Sequence, residues 1–454
     1  MRKKLILWNL ALAATLLAAC GKPGPEPGPQ YEAIPTDVPL RGFYKDLFMD
    51  GGIALTSRTT LPVTEYLDLS MEYFASGADV EKMTAVDTTL QTAVLSHSAE
   101  DENGCLLYPD GAPRFRMIYM NGGKSGNHGL SLNTKGSKAL KRIREYYANG
   151  GSYVGTCAGA YLASAGSGTA SNPNYTGIWP GHCYPTSMTD TYTSMTVEPG
   201  CPLLKYYDFG GDMRVDGVRH NGGCYLSPAP PAGTELLLRY YCPDTTKVHG
   251  QGSIWAWKKD VFTGRAVACG SHPEGVASGE RRDLMAAMCR YAMDGQGCTT
   301  VKDTLWNGKV CEMTALYSSG DLAHARIGDR QFHHFAIFLP EGAKNLSITL
   351  SGAEGSEGCN LELYLNKGTF AYPDLARLSA LKAGCAQTLV EAAPEGGLWL
   401  VAVRCPDTVT ATLTDYDNGL EQTGYYYKYT GNTTLLNGVP YTLTASWDEP
   451  VGNK

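Results

Sequence analysis

The sequence predicts an α/β domain built on a parallel sheet, followed by an all-β antiparallel sandwich. Three observations carry this reading. From residue 31 to 299, short apolar runs alternate with segments of helical periodicity. From residue 300 to 454, apolar residues alternate with polar ones and Gly, Asn and Pro interrupt at short intervals. In Gly151–Tyr161, a β-rich tetrapeptide, Ser152 to Gly155, runs straight into a small-residue segment that reads as a helix, with Cys157 at the joint.

The first thirty residues concern address. Arg2, Lys3 and Lys4 precede an apolar stretch from Leu5 to Leu17, which is too short to span a bilayer as a permanent helix. Leu-Ala-Ala-Cys ends this region at Cys20. The pattern resembles a bacterial lipoprotein signal peptide, residues 1–19. The resemblance implies cleavage before Cys20, acylation of Cys20, and a protein held outside the cytoplasm on a membrane. Residues 20–30 form a Gly/Pro tether suited to holding a domain off that surface.

The elements of the first domain follow in order. Phe43 to Ile53 holds the first strand. Val63, Tyr66, Leu67, Tyr73 and Phe74 fall on one helical face, which predicts a helix there. Phe115 to Met120 is a continuous apolar run, as buried parallel strands are. Ser137 caps a helix that carries Leu140, Ile143 and Tyr147 on one side and stops at Gly150-Gly151. The strand before Cys157 comes next. Arg265 to Cys269 is a further short strand, and Leu284, Met288 and Tyr291 mark a last helix. This is βαβ order, which predicts helices on both faces of the sheet and a site beyond the carboxyl ends of its strands.

Gly123, Cys157 and His272 all follow predicted strand ends. A sharp strand-to-helix turn lifts a nucleophile above the sheet and aims backbone N–H groups at it, which favours thiolate over thiol. Gly155 and Gly159 flank the turn where a β-carbon would clash. His272 and Glu274, in Gly270-Ser271-His272-Pro273-Glu274, supply an imidazole and a carboxylate two residues apart. Together they suggest a Cys157–His272–Glu274 triad.

Here several blocks carry a family resemblance. The run from Lys141 to Ala163 looks like the nucleophile region of class I glutamine amidotransferase-like proteins. It is similar above all to the amidotransferase-like N-terminal domain of biotin–protein ligases. Asn121-Gly122-Gly123, His220-Asn221-Gly222-Gly223-Cys224-Tyr225 and Gly270 to Glu274 match further blocks in the same order, over about residues 43 to 295. The resemblance implies a flavodoxin-like, amidotransferase-like sandwich. It makes Cys157 the nucleophile, His272 the base and later acid, and Glu274 the group that orients the imidazole. It implies an oxyanion hole from the N–H of Ala158 with one from Gly122 or Gly123. Tyr161, Asn221 and Tyr225 are candidates for the substrate cleft, or for packing and turns.

The chain departs from true amidotransferases in having no synthetase domain to receive ammonia. The expected activity is therefore a stand-alone amidase or peptidase acting on small amides or peptides, those of the cell wall included. The alternative is a non-catalytic surface protein that binds a ligand or partner on the same fold.

The formal net charge is −7 without a basic cluster, which argues against nucleic acid as a partner. Gly122-Gly123-Lys124-Ser125 lacks the first glycine of a phosphate loop, since Ile118 stands there. His97, His128, His182, His220 and His249 are scattered singly, so no cofactor and no metal are expected. Apart from Cys20 and Cys157, twelve cysteines remain. None repeats a C-x-x-C zinc spacing, and an oxidising compartment predicts that most form disulfides, with Cys298–Cys311 a candidate from proximity.

In the second domain, Leu346/Ile348/Leu350, Leu361/Leu363/Leu365, Val409/Ala411/Leu413 and Tyr441/Leu443/Ala445 each alternate with polar neighbours. Together with Phe332 to Pro340, Pro394 to Val401 and Gly438 to Leu443, these runs resemble bacterial pre-peptidase C-terminal domains. The resemblance implies a binding or targeting module beside a secreted hydrolase; a spacer is the alternative.

Overall fold

A computed structural model describes residues 32–50, 61–74, 105–123, 139–242, 247–417 and 423–450. The expectations for Cys20, the signal peptide, the tether, Ser137, Lys124, Ser125, His97 and His128 fall outside these residues. Among the described residues no helix is long and apolar enough to cross a membrane.

The first part of the chain is organised by a nine-stranded sheet. Its strands are β1 (Lys45–Asp50), β2 (Met71–Phe74), β3 (Phe115–Met120), β4 (Ser152–Thr156), β5 (Thr191–Val197), β6 (Arg214–His220), β7 (Glu235–Tyr241), β8 (Gly252–Trp257) and β9 (Ala266–Cys269). Their order across the sheet is β2-β1-β3-β4-β9-β8-β7-β5-β6. The half from β2 to β9 is parallel. From β9 through β8, β7 and β5 to β6 every pairing is antiparallel. The expectation of a parallel sheet is therefore corrected to a mixed one. Short connections between consecutive strands replace crossover helices in that half, and antiparallel neighbours need none.

Side-chain alternation gives the sheet two buried faces. Phe48, Ile118, Met120, Tyr153 and Ala268 face helices α2 (Ala139–Ala148) and α3 (Ala158–Ala163). Leu47, Met117, Tyr119, Val154 and Val267 face α4 (Glu280–Met293). Helix α1 is only Val63–Tyr66. The longer helix expected from Val63 to Phe74 is not formed. After Ser70 the chain turns extended, and Met71 to Phe74 pair in parallel with β1. Joining a sheet supplies those residues with a full set of backbone hydrogen bonds, which outweighs their weak helical periodicity.

The second part contains two facing sheets. One comprises Asp303–Thr304, Phe332–Leu339, Gly397–Arg404, Glu362–Lys367 and Leu378–Ala380; the other Val310–Met313, Tyr441–Asp448, Lys344–Gly352 and Gln387–Glu391. Their inner faces share one apolar core that includes Phe335, Ile348, Leu363, Trp399, Val401 and Leu443. A hairpin, Thr410–Asp417 with Thr423–Thr430, leaves the sandwich and docks on the first sheet. There Tyr425 and Tyr427 pack on Tyr73, and the Tyr429 hydroxyl donates to Glu72 Oε2 at 3.0 Å. Beside it, Arg114 pairs with Asp329 at 3.1 Å, both side chains at most 2% exposed. Arg114 lies 4.4 Å over Tyr44 and 5.2 Å over Tyr429, so one cation bridges both parts.

The disulfide expectation is also corrected. All thirteen described cysteines, Cys298 and Cys311 among them, are free thiols, and eleven are buried. They occupy core positions as small apolar side chains do, such as Cys269 on β9 and Cys289 on α4.

Candidate active site

Cys157 ends β4, a strand with all five residues buried, and stands as the N-cap of α3. Its backbone lies at φ 46°, ψ −104°, a region that L-residues seldom occupy. Such a conformation costs about 1–3 kcal/mol and persists only where its surroundings impose it. Two features impose it here. The Cys157 N–H donates to Cys269 O at 2.8 Å, locking the turn to the end of β9. Two glycines then let the helix approach the sheet. A β-carbon on Gly159 would lie 1.9 Å from Met120 O, and one on Gly155 would lie 2.5 Å from Gly159 O. Gly159→Ala is accordingly expected to destabilise the protein by about 3 kcal/mol or more, since neither backbone can yield without moving the elbow. A denaturant midpoint shift for Gly159→Ala well above that of a substitution at an exposed side chain such as Lys344→Ala checks this.

The other predicted residues arrive from the neighbouring strand end. His272 follows β9, and its N–H donates to Arg219 O at 2.8 Å. Its Nδ1 lies 2.9 Å from Glu274 Oε1, with the two side chains 13% and 3% exposed. Cys157 is also near enough to act on the imidazole. With Nδ1 engaged by Glu274, Nε2 is the nitrogen left for the sulfur. The structure thus brings Cys157, His272 and Glu274 together in one chain of contacts. Burial by itself pulls the imidazole pKa down; the neighbouring Cys157 and Glu274 overcome this and push it up to about 10.

The sign of the resulting pH dependence is fixed. A histidine whose folded pKa is raised stabilises the fold fully below its unfolded value of about 6.5, and loses that contribution as pH rises through the folded value. The stability difference between the native protein and His272→Ala is expected to be largest below pH 6.5 and to lose its proton-linked part as pH rises through about 10. Denaturant titrations of both proteins across that range measure it.

Of the predicted oxyanion donors, Ala158 follows Cys157 directly in the chain. Among the described residues, the Ala158 N–H has no acceptor. Gly122 and Gly123 lie just past the end of β3, the strand paired with β4. Tyr161 is buried, and its hydroxyl donates to Gly223 O at 3.2 Å, so it props the Asn221–Gly223 loop. The Asn221 side chain is turned away: Oδ1 accepts from Asp190 N at 3.2 Å. Its carbonyl instead accepts from Cys157 Sγ at 3.6 Å, and the sulfur-bearing residue is 3% exposed. Tyr225 stacks on Tyr184 at 5.7 Å. A cavity of about 840 Å³, lined in part by Met188, Tyr192, Arg214 and Tyr241, adjoins this loop through Met188, whose carbonyl accepts from Gly222 N.

Sequence reasoning missed a second buried network. His220 is fully buried, with Nδ1 2.8 Å from Ser271 Oγ and Nε2 2.6 Å from Thr186 Oγ1. Burial, reinforced by the charge of His272, pushes its pKa down to about 4, so it is neutral at ordinary pH. It fixes Ser271, and through Ser271 the backbone that carries His272. The one signal in the sequence was its place in the His220 to Tyr225 block, but a single histidine gives no hint of its partner.

Residues 110–171, which hold β3, the Cys157 elbow and α3, match the family model described as biotin-protein ligase, N terminal. This match supports an amidotransferase-like fold for the first part of the chain. No curated protein matches the sequence significantly. Among solved structures, a glutamine amidotransferase is 14% identical at a TM-score of 0.29, covering 39% of this chain and 80% of its own. A protein from Thermoplasma acidophilum assigned to GMP synthase is 11% identical at a TM-score of 0.32, covering 55% and 94%. The pre-peptidase C-terminal domain of a Bacillus anthracis collagenase is 12% identical at a TM-score of 0.18, covering 33% and 98%.

Proposed function

We propose that the protein is a lipid-anchored, extracytoplasmic cysteine amidohydrolase acting on small amides or peptides. The observation that carries this reading is Cys157 on a strained elbow beside an imidazole whose Nδ1 lies 2.9 Å from Glu274. The Cys157 thiolate adds to the amide carbonyl, and the new oxyanion accepts from Ala158 N–H and a Gly122 or Gly123 N–H. The C–N bond then breaks as the His272 imidazolium gives its proton to the leaving amine. His272 next takes a proton from water, whose oxygen attacks the thioester. The acid departs and the thiolate is restored, so no cofactor is consumed. Cys20 acylation supplies the anchor, and the C-terminal sandwich serves as a pre-peptidase-like module that holds the enzyme or its substrate.

One observation favours a second reading. The Asn221–Gly223 loop covers the sulfur, leaving Cys157 3% exposed, as suits a non-catalytic binding protein. Incubation with a pool of peptides and primary amides, followed by quenching and intact-mass measurement, separates the two. An acyl adduct on Cys157 with release of amine supports the hydrolase. Peptide retained without an adduct or turnover supports the binder.

A further inference from the structure

A second cluster lies in the C-terminal sandwich, remote from Cys157 in sequence. Asp303, Cys311 and His324 offer three ligand atoms that all lie within 4.8 Å of one another. They come from three places: a strand of one sheet, a strand of the other, and the segment just before Ala325. They line a common cavity of about 360 Å³.

We propose that Asp303, Cys311 and His324 form a binding site for a divalent transition-metal ion, with zinc the favoured occupant. The Asp303–His324 separation fits one shared ion better than direct bonding. His324 Nε2 and Asp303 Oδ2 are 3.7 Å apart, too far for a hydrogen bond. Two ligands at about 2.0–2.3 Å from a tetrahedral zinc stand roughly 3.3–3.8 Å from each other. The groups are also held in advance. Asp303 Oδ1 accepts from Thr304 N at 2.7 Å, which leaves Oδ2 to face the histidine. Asp321 approaches His324 Nδ1 at 3.1 Å through both carboxylate oxygens and accepts its N–H, which presents Nε2 as the lone-pair donor. A carboxylate behind a ligating histidine is how protein metal sites fix the tautomer.

Cys311 forms the floor. It is buried between exposed Val310 and Glu312, and its thiol has only the weak contact to Met313 Sδ at 3.7 Å. The donor set of one thiolate, one imidazole and one carboxylate suits zinc and its neighbours and does not suit calcium or magnesium, which take oxygen ligands. Three protein ligands leave a fourth position for water or for a group from a bound molecule. Binding displaces the Cys311 proton to solvent, since the thiolate is the ligand.

Cobalt(II) reports on such a site directly. The full chain carrying Cys157→Ser, which silences the other thiol–imidazole pair, is titrated with Co²⁺ alone. The expected result is one ion per chain, with a thiolate-to-cobalt charge-transfer band and the intense visible bands of tetrahedral coordination, displaced by Zn²⁺. Cys311→Ser abolishes the charge-transfer band. His324→Ala, at a partly exposed side chain that the core does not need, weakens binding at least tenfold, and Asp321→Asn weakens it about 10- to 100-fold. Absence of the band, or a band of full strength in both Cys311→Ser and His324→Ala, overturns the proposal.

Discussion

Replacing Cys157 by alanine is expected to abolish amide hydrolysis, lowering kcat by about 10⁴-fold or more while the fold survives. The magnitude follows from the unit character of such a triad, where loss of the nucleophile costs about as much as loss of every member. Survival of the fold follows from the size of the change. One sulfur atom leaves a site lined by Asn221 O and the His272 ring, and the backbone bond from residue 157 to Cys269 O is kept. His272→Ala is expected to fall nearly as far. Glu274→Gln retains a hydrogen-bond partner but not the negative charge, and should lie between. Turnover by Cys157→Ala within tenfold of the native rate would exclude the thioester route.

The second large effect concerns stability. Asp329→Ala is expected to cost about 3–5 kcal/mol, because it strands the Arg114 guanidinium, a fully buried charge, without its partner. Burial opposes charge on Arg114, but Asp329 together with Tyr429, Cys105 and Tyr108 outweighs it, so the cation stays charged in the native protein. Asp329 Oδ2 also accepts from Val409 N at 3.4 Å, just before the hairpin that docks on the first sheet. The loss should therefore loosen hairpin docking as well as the sandwich. The double substitution Arg114→Met, Asp329→Leu is expected to recover much of the loss, since an apolar pair of similar volume avoids the desolvation penalty. Denaturant unfolding of both variants, read by tyrosine and tryptophan fluorescence, gives the two values. An Asp329→Ala cost below about 1 kcal/mol would mean that water reaches the pair.

How much of this was legible beforehand depended on the kind of signal. Phe115 to Met120 and the residues before Cys157 are buried on both faces, so their continuous apolar character pointed to central parallel strands. The elbow was legible because small residues are obligatory there: Gly155 and Gly159 stand where a β-carbon would strike backbone. The antiparallel half was not. Arg214–His220 is the edge strand and Thr191–Val197 its neighbour, each with only three of seven residues buried, and their Thr- and Arg-rich sequences resemble loops. The docking hairpin was missed for a related reason. Its value lies in contacts with Tyr73 and Glu72, over 300 residues away, which no local pattern announces. The cysteines misled because an even count, in the extracytoplasmic setting that the N-terminal residues suggest, reads as a disulfide framework, whereas here they fill core positions. Cys311 shows the same blindness from the other side. Its neighbours Asp303 and His324 lie 8 and 13 residues away in sequence and meet it only because two sheets face each other.

Cys157 and His272 are proposed to work together as nucleophile and base. Iodoacetamide labelling near pH 6 with peptide mapping tests this most directly, with half-buried Cys298 and Cys385 as internal references. An ordinary thiol is only about 0.3% ionised at that pH and reacts slowly. Labelling of Cys157 is predicted to be roughly ten- to a hundredfold faster than that of either reference, and to lose this advantage in His272→Ala. Labelling of Cys157 no faster than the references, or equally fast without His272, would contradict the account.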